Sequence, residues 1–155
     1  MKPFEVTKGI FIVGGPEITD GRDRCVYLLN MGELILIDSG VGWSVDQIQG
    51  NIERLGFDCS KLSKLILTHC HIDHIGGASQ FRKRFSLTVC IHKLDAPPLE
   101  TGDPVLTAQP GTIPHFHRCL WMSNLICPRK LLPSVTKSSF VFTRLGTPLD
   151  QFPST

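Results

Sequence analysis

Ten consecutive residues, Thr68-His69-Cys70-His71-Ile72-Asp73-His74-Ile75-Gly76-Gly77, constrain this 155-residue chain more than anything else in it. Three of its six histidines and one carboxylate fall within six positions, directly after a short apolar stretch that reads as a buried strand over residues 64–68. In an extended strand end, residues two apart point the same way, so His69 and His71 can present two imidazoles to one cation, a donor set that suits zinc. The chain then turns. Asp73 and His74 lie on that turn and can offer an oxygen and a nitrogen to a second cation about 3.5–4 Å from the first, the spacing of two-metal hydrolytic sites. Gly76-Gly77 lets the backbone pass close to the site and enter the next helix without side-chain obstruction.

The surrounding pattern supplies a frame for that turn. Alternation and β-rich composition predict strands over residues 5–13, 25–30 and 33–38, with Asn30-Met31-Gly32 as the turn between the last two. A helix is expected over residues 44–55, with Ser44 as N-cap, Val45, Ile48, Ile52 and Leu55 on its apolar face, and Gly56 ending it. A second helix over 77–85, a strand over 87–92 and a helical turn over 93–100, interrupted by Pro97-Pro98, complete an alternating α/β order with helices on the sheet's faces.

Charge divides the chain. Residues 1–108 carry 11 Lys+Arg and 13 Asp+Glu, whereas residues 109–155 carry 5 bases and a single acid, Asp150. The same boundary separates 12 of the 14 glycines from a tail rich in Ser, Thr and Pro. This reads as two parts, an interpretable body over 1–108 and an irregular basic tail over 109–155. Neither part has a run near the ~20 apolar residues of a spanning helix or a recognisable leader, so a cytoplasmic chain with no membrane partner is expected. The six cysteines then read as reduced, mostly buried thiols. The body has one basic cluster, Arg82-Lys83-Arg84, and lacks the aromatic interleaving of a nucleic-acid binder, so no nucleic-acid partner is expected.

The His-x-His-x-Asp-His run resembles the signature of the metallo-β-lactamase superfamily. The stretch Leu34-Ile35-Leu36-Ile37-Asp38-Ser39-Gly40 is similar to that family's upstream strand ending in Asp-x-Gly. The resemblance implies the first half of an αββα sandwich. It also implies that His69 and His71 bind a first zinc, that Asp73 and His74 bind a second, and that Asp38 orients the loop by hydrogen bonding. Asp38 has a second reading, as a cap on the turn before Ser39-Gly40. Up to two zinc ions are implied, with iron or manganese as alternatives. Asp73 would be the catalytic residue, binding one metal and steadying the water nucleophile. By alternation Cys70 points away from the metal and reads as a packed thiol, and His92 as a strand-end histidine with no ligand role.

The family completes its site from a second half, with a further histidine for the first zinc, a bridging Asp and a final histidine. Past Leu106 this sequence offers only His115, His117 and Asp150, in contexts that do not match. The tail therefore reads as a truncated or out-of-frame continuation, or as a separate zinc site built from His115, His117, Cys119 and Cys127. Two functions follow. One is metal-dependent hydrolysis of a small-molecule thioester or lactone, in the manner of glyoxalase II. The other is a catalytically incomplete metal-binding remnant or interaction protein, with a homo-oligomer as one way of completing the metal site.

Overall fold

A computed structural model describes residues 1–108; the tail from 109 on, with His115, His117, Cys119, Cys127 and Asp150, lies outside the described residues. The body is an α/β unit built on one six-stranded sheet. In chain order the strands are β1 (Phe4–Thr7), β2 (Ile10–Gly14), β3 (Val26–Asn30), β4 (Leu34–Ile37), β5 (Leu62–Ile66) and β6 (Thr88–Cys90). Spatial order follows sequence order, with β1 to β4 antiparallel and β4, β5 and β6 mutually parallel.

The expected single strand over 5–13 is two. Gly9, at φ 77°, turns the chain at Thr7-Lys8-Gly9, and its N–H donates to the Glu5 carboxylate, so β1 folds back on β2 with Phe4 opposite Ile12. A left-handed backbone is cheap for glycine, and alternation alone does not reveal such a break. The hairpin at Asn30-Met31-Gly32 forms as its turn residues require. The strands expected over 64–68 and 87–92 become Leu62–Ile66 and Thr88–Cys90, so the strand ladder stops short of the histidine run.

Helix α1 (Val45–Arg54) packs on β2, and α3 (Ala78–Phe85) packs against β5 and β6. Both present apolar residues to the sheet. Ile48, Ile52, Ala78 and Phe81 are fully buried against Val26, Leu28, Leu36, Leu65 and Val89 in one core. The register puts Leu28 opposite Leu36 and Leu36 opposite Leu65, which aligns these side chains on one face. The opposite face carries Tyr27, Leu29, Ile35, Ile37 and Ile66, all half-buried.

Two helix-end expectations need correction. Ser44 occupies the N-cap position of α1, but its hydroxyl donates to the Asp23 carboxylate and caps no backbone N–H. Pro97-Pro98 does not interrupt the last helix. Both prolines sit in the first turn of α4 (Ala96–Thr101), where a missing N–H leaves no intrahelical bond unmade. Of the four described cysteines, Cys59, Cys70 and Cys90 are buried and Cys25 is exposed, and no disulfide joins any two of them. Among the described residues, no helix is long and apolar enough to cross a membrane.

Candidate functional site

The carboxyl ends of the three parallel strands lie side by side, and there the chain leaves the sheet in loops; open α/β sheets bind ligands at such edges. Past β4 and β5 the ladder continues for one residue on each side: Asp38 N–H donates to Ile66 C=O (2.9 Å) and Leu67 N–H to Cys90 C=O (2.8 Å). Asp38 and Thr68 therefore emerge next to each other, and the histidine run begins from that point.

Asp38 is 3% exposed and has a positive φ of 59°. Its Oδ1 accepts the Thr68 N–H (2.8 Å), and its Oδ2 accepts the Thr68 hydroxyl (2.8 Å) and faces His74 Nδ1 (2.8 Å). An ionised carboxylate only accepts, so His74 carries its proton on Nδ1 and leaves Nε2 with a lone pair. The Thr68 hydroxyl has given its one proton to Asp38, so its oxygen accepts from His69 Nδ1 (3.1 Å), which frees His69 Nε2 in the same way. One buried carboxylate thus sets the tautomers of two imidazoles.

The rings themselves converge. Those of His69 and His74 lie 4.1 Å apart between centroids, and those of His69 and His71 lie 4.6 Å apart. His71 is the exposed N-cap of a single helical turn, α2 (Ile72–Ile75), whose second and third residues are Asp73 and His74. Asp73 faces elsewhere: its Oδ2 pairs with Arg24 Nε at 2.9 Å, and its carbonyl accepts the Arg24 N–H at 3.3 Å. Burial, and after it the neighbouring His74 and His71, holds the His69 imidazole below its ordinary pKa and so favours the neutral form.

The turn is held from three sides. Cys70 N–H donates to Asp95 (3.1 Å), the Cys70 thiol approaches Leu106 C=O (3.5 Å), and Ile72 N–H donates to Thr107 C=O (2.9 Å). Cys70 packs inward, and burial, with Asp95 beside it, pushes its thiol up to about 11. His92 lies 3.9 Å from Asp95. On the fourth side the backbone of residues 39–42 runs against Gly76-Gly77, where a Cβ on Gly76 would overlap the Val41 carbonyl. Ser39 ties the same loop to the turn, its N–H and hydroxyl both donating to His74 C=O (2.7 and 2.8 Å).

Sequence reasoning missed Thr68, Arg24, Asp95 and Asp23. Asp23 is fully buried, accepts from Val41 N–H (2.8 Å), Thr19 (2.5 Å) and Ser44, and so fixes the 39–44 loop. Only Thr68 carried a signal, as the residue opening the histidine run; the others are distant in sequence and ordinary in composition.

Three imidazoles and a carboxylate are the donor types that bind zinc and similar divalent ions, and two of the imidazoles have their Nε2 freed for it. Even so, no group of three or more His, Cys, Asp or Glu side chains among the described residues is gathered tightly enough to hold a metal ion. Each carboxylate near the rings is already engaged, Asp38 by Thr68 and His74, and Asp73 by Arg24.

A family model described as the metallo-beta-lactamase superfamily matches residues 19–149. Among solved structures, the metallo-beta-lactamase GOB-18 from Elizabethkingia meningoseptica superposes with a TM-score of 0.60 at 30% identity, covering 67% of this chain and 37% of that one. The subclass B3 metallo-beta-lactamase BJP-1 of Bradyrhizobium japonicum gives 0.59 at 30% identity, covering 66% and 37%. Ribonuclease J of Synechocystis sp. is 28% identical over 75 residues, 44% of this chain and 12% of that protein. The chain thus spans well under half the length of each of these relatives.

Proposed function

Because the chain belongs to the metallo-beta-lactamase superfamily, whose fold its sheet and helices share, we propose that it works as a metal-dependent hydrolase at the carboxyl edge of its parallel strands. The observation that carries this reading is the cluster of His69, His71 and His74, with Asp38 setting the tautomers of two of them. His69 and His71 would hold a first divalent cation, zinc before iron or manganese, and Asp73 with His74 a second. When bound, such an ion supplies a water acidified to a pKa of about 7 and a Lewis acid for the scissile carbonyl.

The chain's own contribution is orientation and proton handling. Asp38 keeps the Nδ1 protons of His74 and, through Thr68, of His69 in place, so in the neutral rings it is Nε2 that offers its lone pair. Asp73 would bring to the second cation a carboxylate whose Oδ2 pairs with Arg24 in this structure. The buried base of the turn, Ile72 and Ile75, limits water access from the core side.

The substrate class proposed is a small-molecule thioester or lactone. The solved relatives named as β-lactamases favour a second reading, a strained cyclic amide, which needs the same attack on a carbonyl. A chelator-stripped full chain, reloaded with zinc, is assayed against a thioester, a lactone and a β-lactam, with metal content read by elemental analysis. Zinc retention that falls in His71→Ala and Asp73→Ala, together with zinc-dependent turnover of one substrate, is expected. Equal metal content in all three proteins, or no turnover of any carbonyl substrate by the zinc-loaded chain, refutes the proposal.

A further inference from the structure

We propose that Arg24 is a resident cation that competes with the second metal ion for Asp73, so that the second divalent ion binds more weakly than it would without Arg24. This rests on the metal-dependent reading above and concerns how that site is regulated.

The argument starts from the pairing. Arg24 Nε lies 2.9 Å from Asp73 Oδ2, and the Arg24 N–H donates to the Asp73 carbonyl at 3.3 Å, so the segment before β3 is tied to α2 at two points. Arg24 is not free to drift away along the backbone. Its neighbour Asp23 is fully buried and anchored to Val41, Thr19 and Ser44, which fixes the residue from which the guanidinium extends. The side chain itself is 59% exposed, so the pair is reversible and its strength is that of a solvated contact.

Asp38 cannot take over as the second carboxylate ligand, since both of its oxygens are committed to Thr68 and His74. Asp73 is therefore the carboxylate on the turn that a second cation would use, and it already faces a positive charge. A second dication must either displace Arg24 from Asp73 or share the carboxylate with it, and in both cases it sits near the guanidinium. The first cation, held by imidazoles, meets neither obstacle. Loss of a solvated ion pair and of the repulsion between a mono- and a dication a few ångströms apart amounts together to about a tenfold change in affinity.

The test titrates zinc alone into the chelator-stripped full chain by calorimetry, comparing the unaltered protein with Arg24→Gln and Arg24→Lys. Cobalt(II) absorption spectra, which differ for each added ion, serve as a second readout. Arg24→Gln is expected to tighten the second binding event about tenfold and leave the first unchanged, whereas Arg24→Lys, which keeps the charge, stays close to the unaltered protein. Unchanged or weaker second-ion binding in Arg24→Gln, with the first event intact, overturns the competition and leaves the hydrolase reading standing. An absence of zinc binding by all three proteins overturns both. Thermal midpoints of the three proteins establish that each is folded; the backbone tie at residue 24 is independent of its side chain.

Discussion

Replacing Asp38 with asparagine isolates what the buried carboxylate does. Asparagine matches aspartate in shape and tolerates the left-handed backbone that Asp38 adopts at φ 59°, so the turn itself is not strained. Its oxygen can still accept the Thr68 N–H now bound at 2.8 Å. Its amide nitrogen, in place of Oδ2, is a donor facing two donors, the Thr68 hydroxyl and His74 Nδ1–H. Both must turn over: Thr68 loses its acceptor, and His74 must move its proton to Nε2. Two charge-assisted hydrogen bonds, each contributing about 1.5–3 kcal/mol, are exchanged for one or two neutral ones of about 0.5–1.5 kcal/mol. The net loss is about 2 kcal/mol, or a fall in midpoint of about 4–8 °C for a chain of this size. Asp38→Ala should cost more, because it leaves the Thr68 N–H without its partner and places alanine in the left-handed region. The second consequence is chemical. With Nε2 protonated, His74 no longer offers a lone pair, so zinc affinity should fall about 10–100-fold, the effect of removing a hydrogen-bond partner behind a metal ligand. Urea denaturation in chelator reads the first effect, and the zinc-induced rise in midpoint reads the second. Wild-type stability together with a wild-type zinc shift in Asp38→Asn would refute the tautomer argument; a stability loss with zinc binding intact would confine Asp38 to holding the turn.

Other substitutions probe the frame. Gly76→Ala should destabilise the fold by about 1–3 kcal/mol, the range for overpacking, because its Cβ overlaps the Val41 carbonyl although its φ of −58° is ordinary. Gly50→Ala, in the middle of α1 with open space around its Cβ, should instead stabilise by about 0.5–1 kcal/mol; urea midpoints for the pair that moved in the same direction would contradict the close-packing explanation. The pKa of the folded His69 lies below the ordinary 6.5, so the unfolded chain takes up this proton first. Stability contributed at this position is therefore full above about pH 6.5 and declines as pH falls, until the folded imidazole is itself protonated. In metal-free protein, His69→Gln should flatten that part of the stability–pH curve, and an unchanged slope would show that another group is responsible.

The histidine run, the Asp38 strand end and the alternating α/β order could be read from the chain because each is local: spacing of two along a strand, of three to four along a helix, and turn residues between them. Gly9 shows where this stops, since one residue at positive φ converted an expected strand into a hairpin whose pairing depends on a partner strand. Ser44 shows it again: a hydroxyl placed correctly at a helix start was claimed by Asp23, 21 positions away in sequence. The site follows the same division. Its donors are consecutive and were therefore visible, whereas the groups that set their proton positions and occupancy are Asp38, 30 residues before Thr68, and Arg24, far before Asp73. Sequence by itself determined which chemistry the turn can offer, because ligand types and their spacing are properties of the chain. Tertiary structure decided which of those donors are free, because hydrogen bonds and ion pairs form between whichever groups folding brings within about 3 Å, and that depends on the packing of the whole sheet edge.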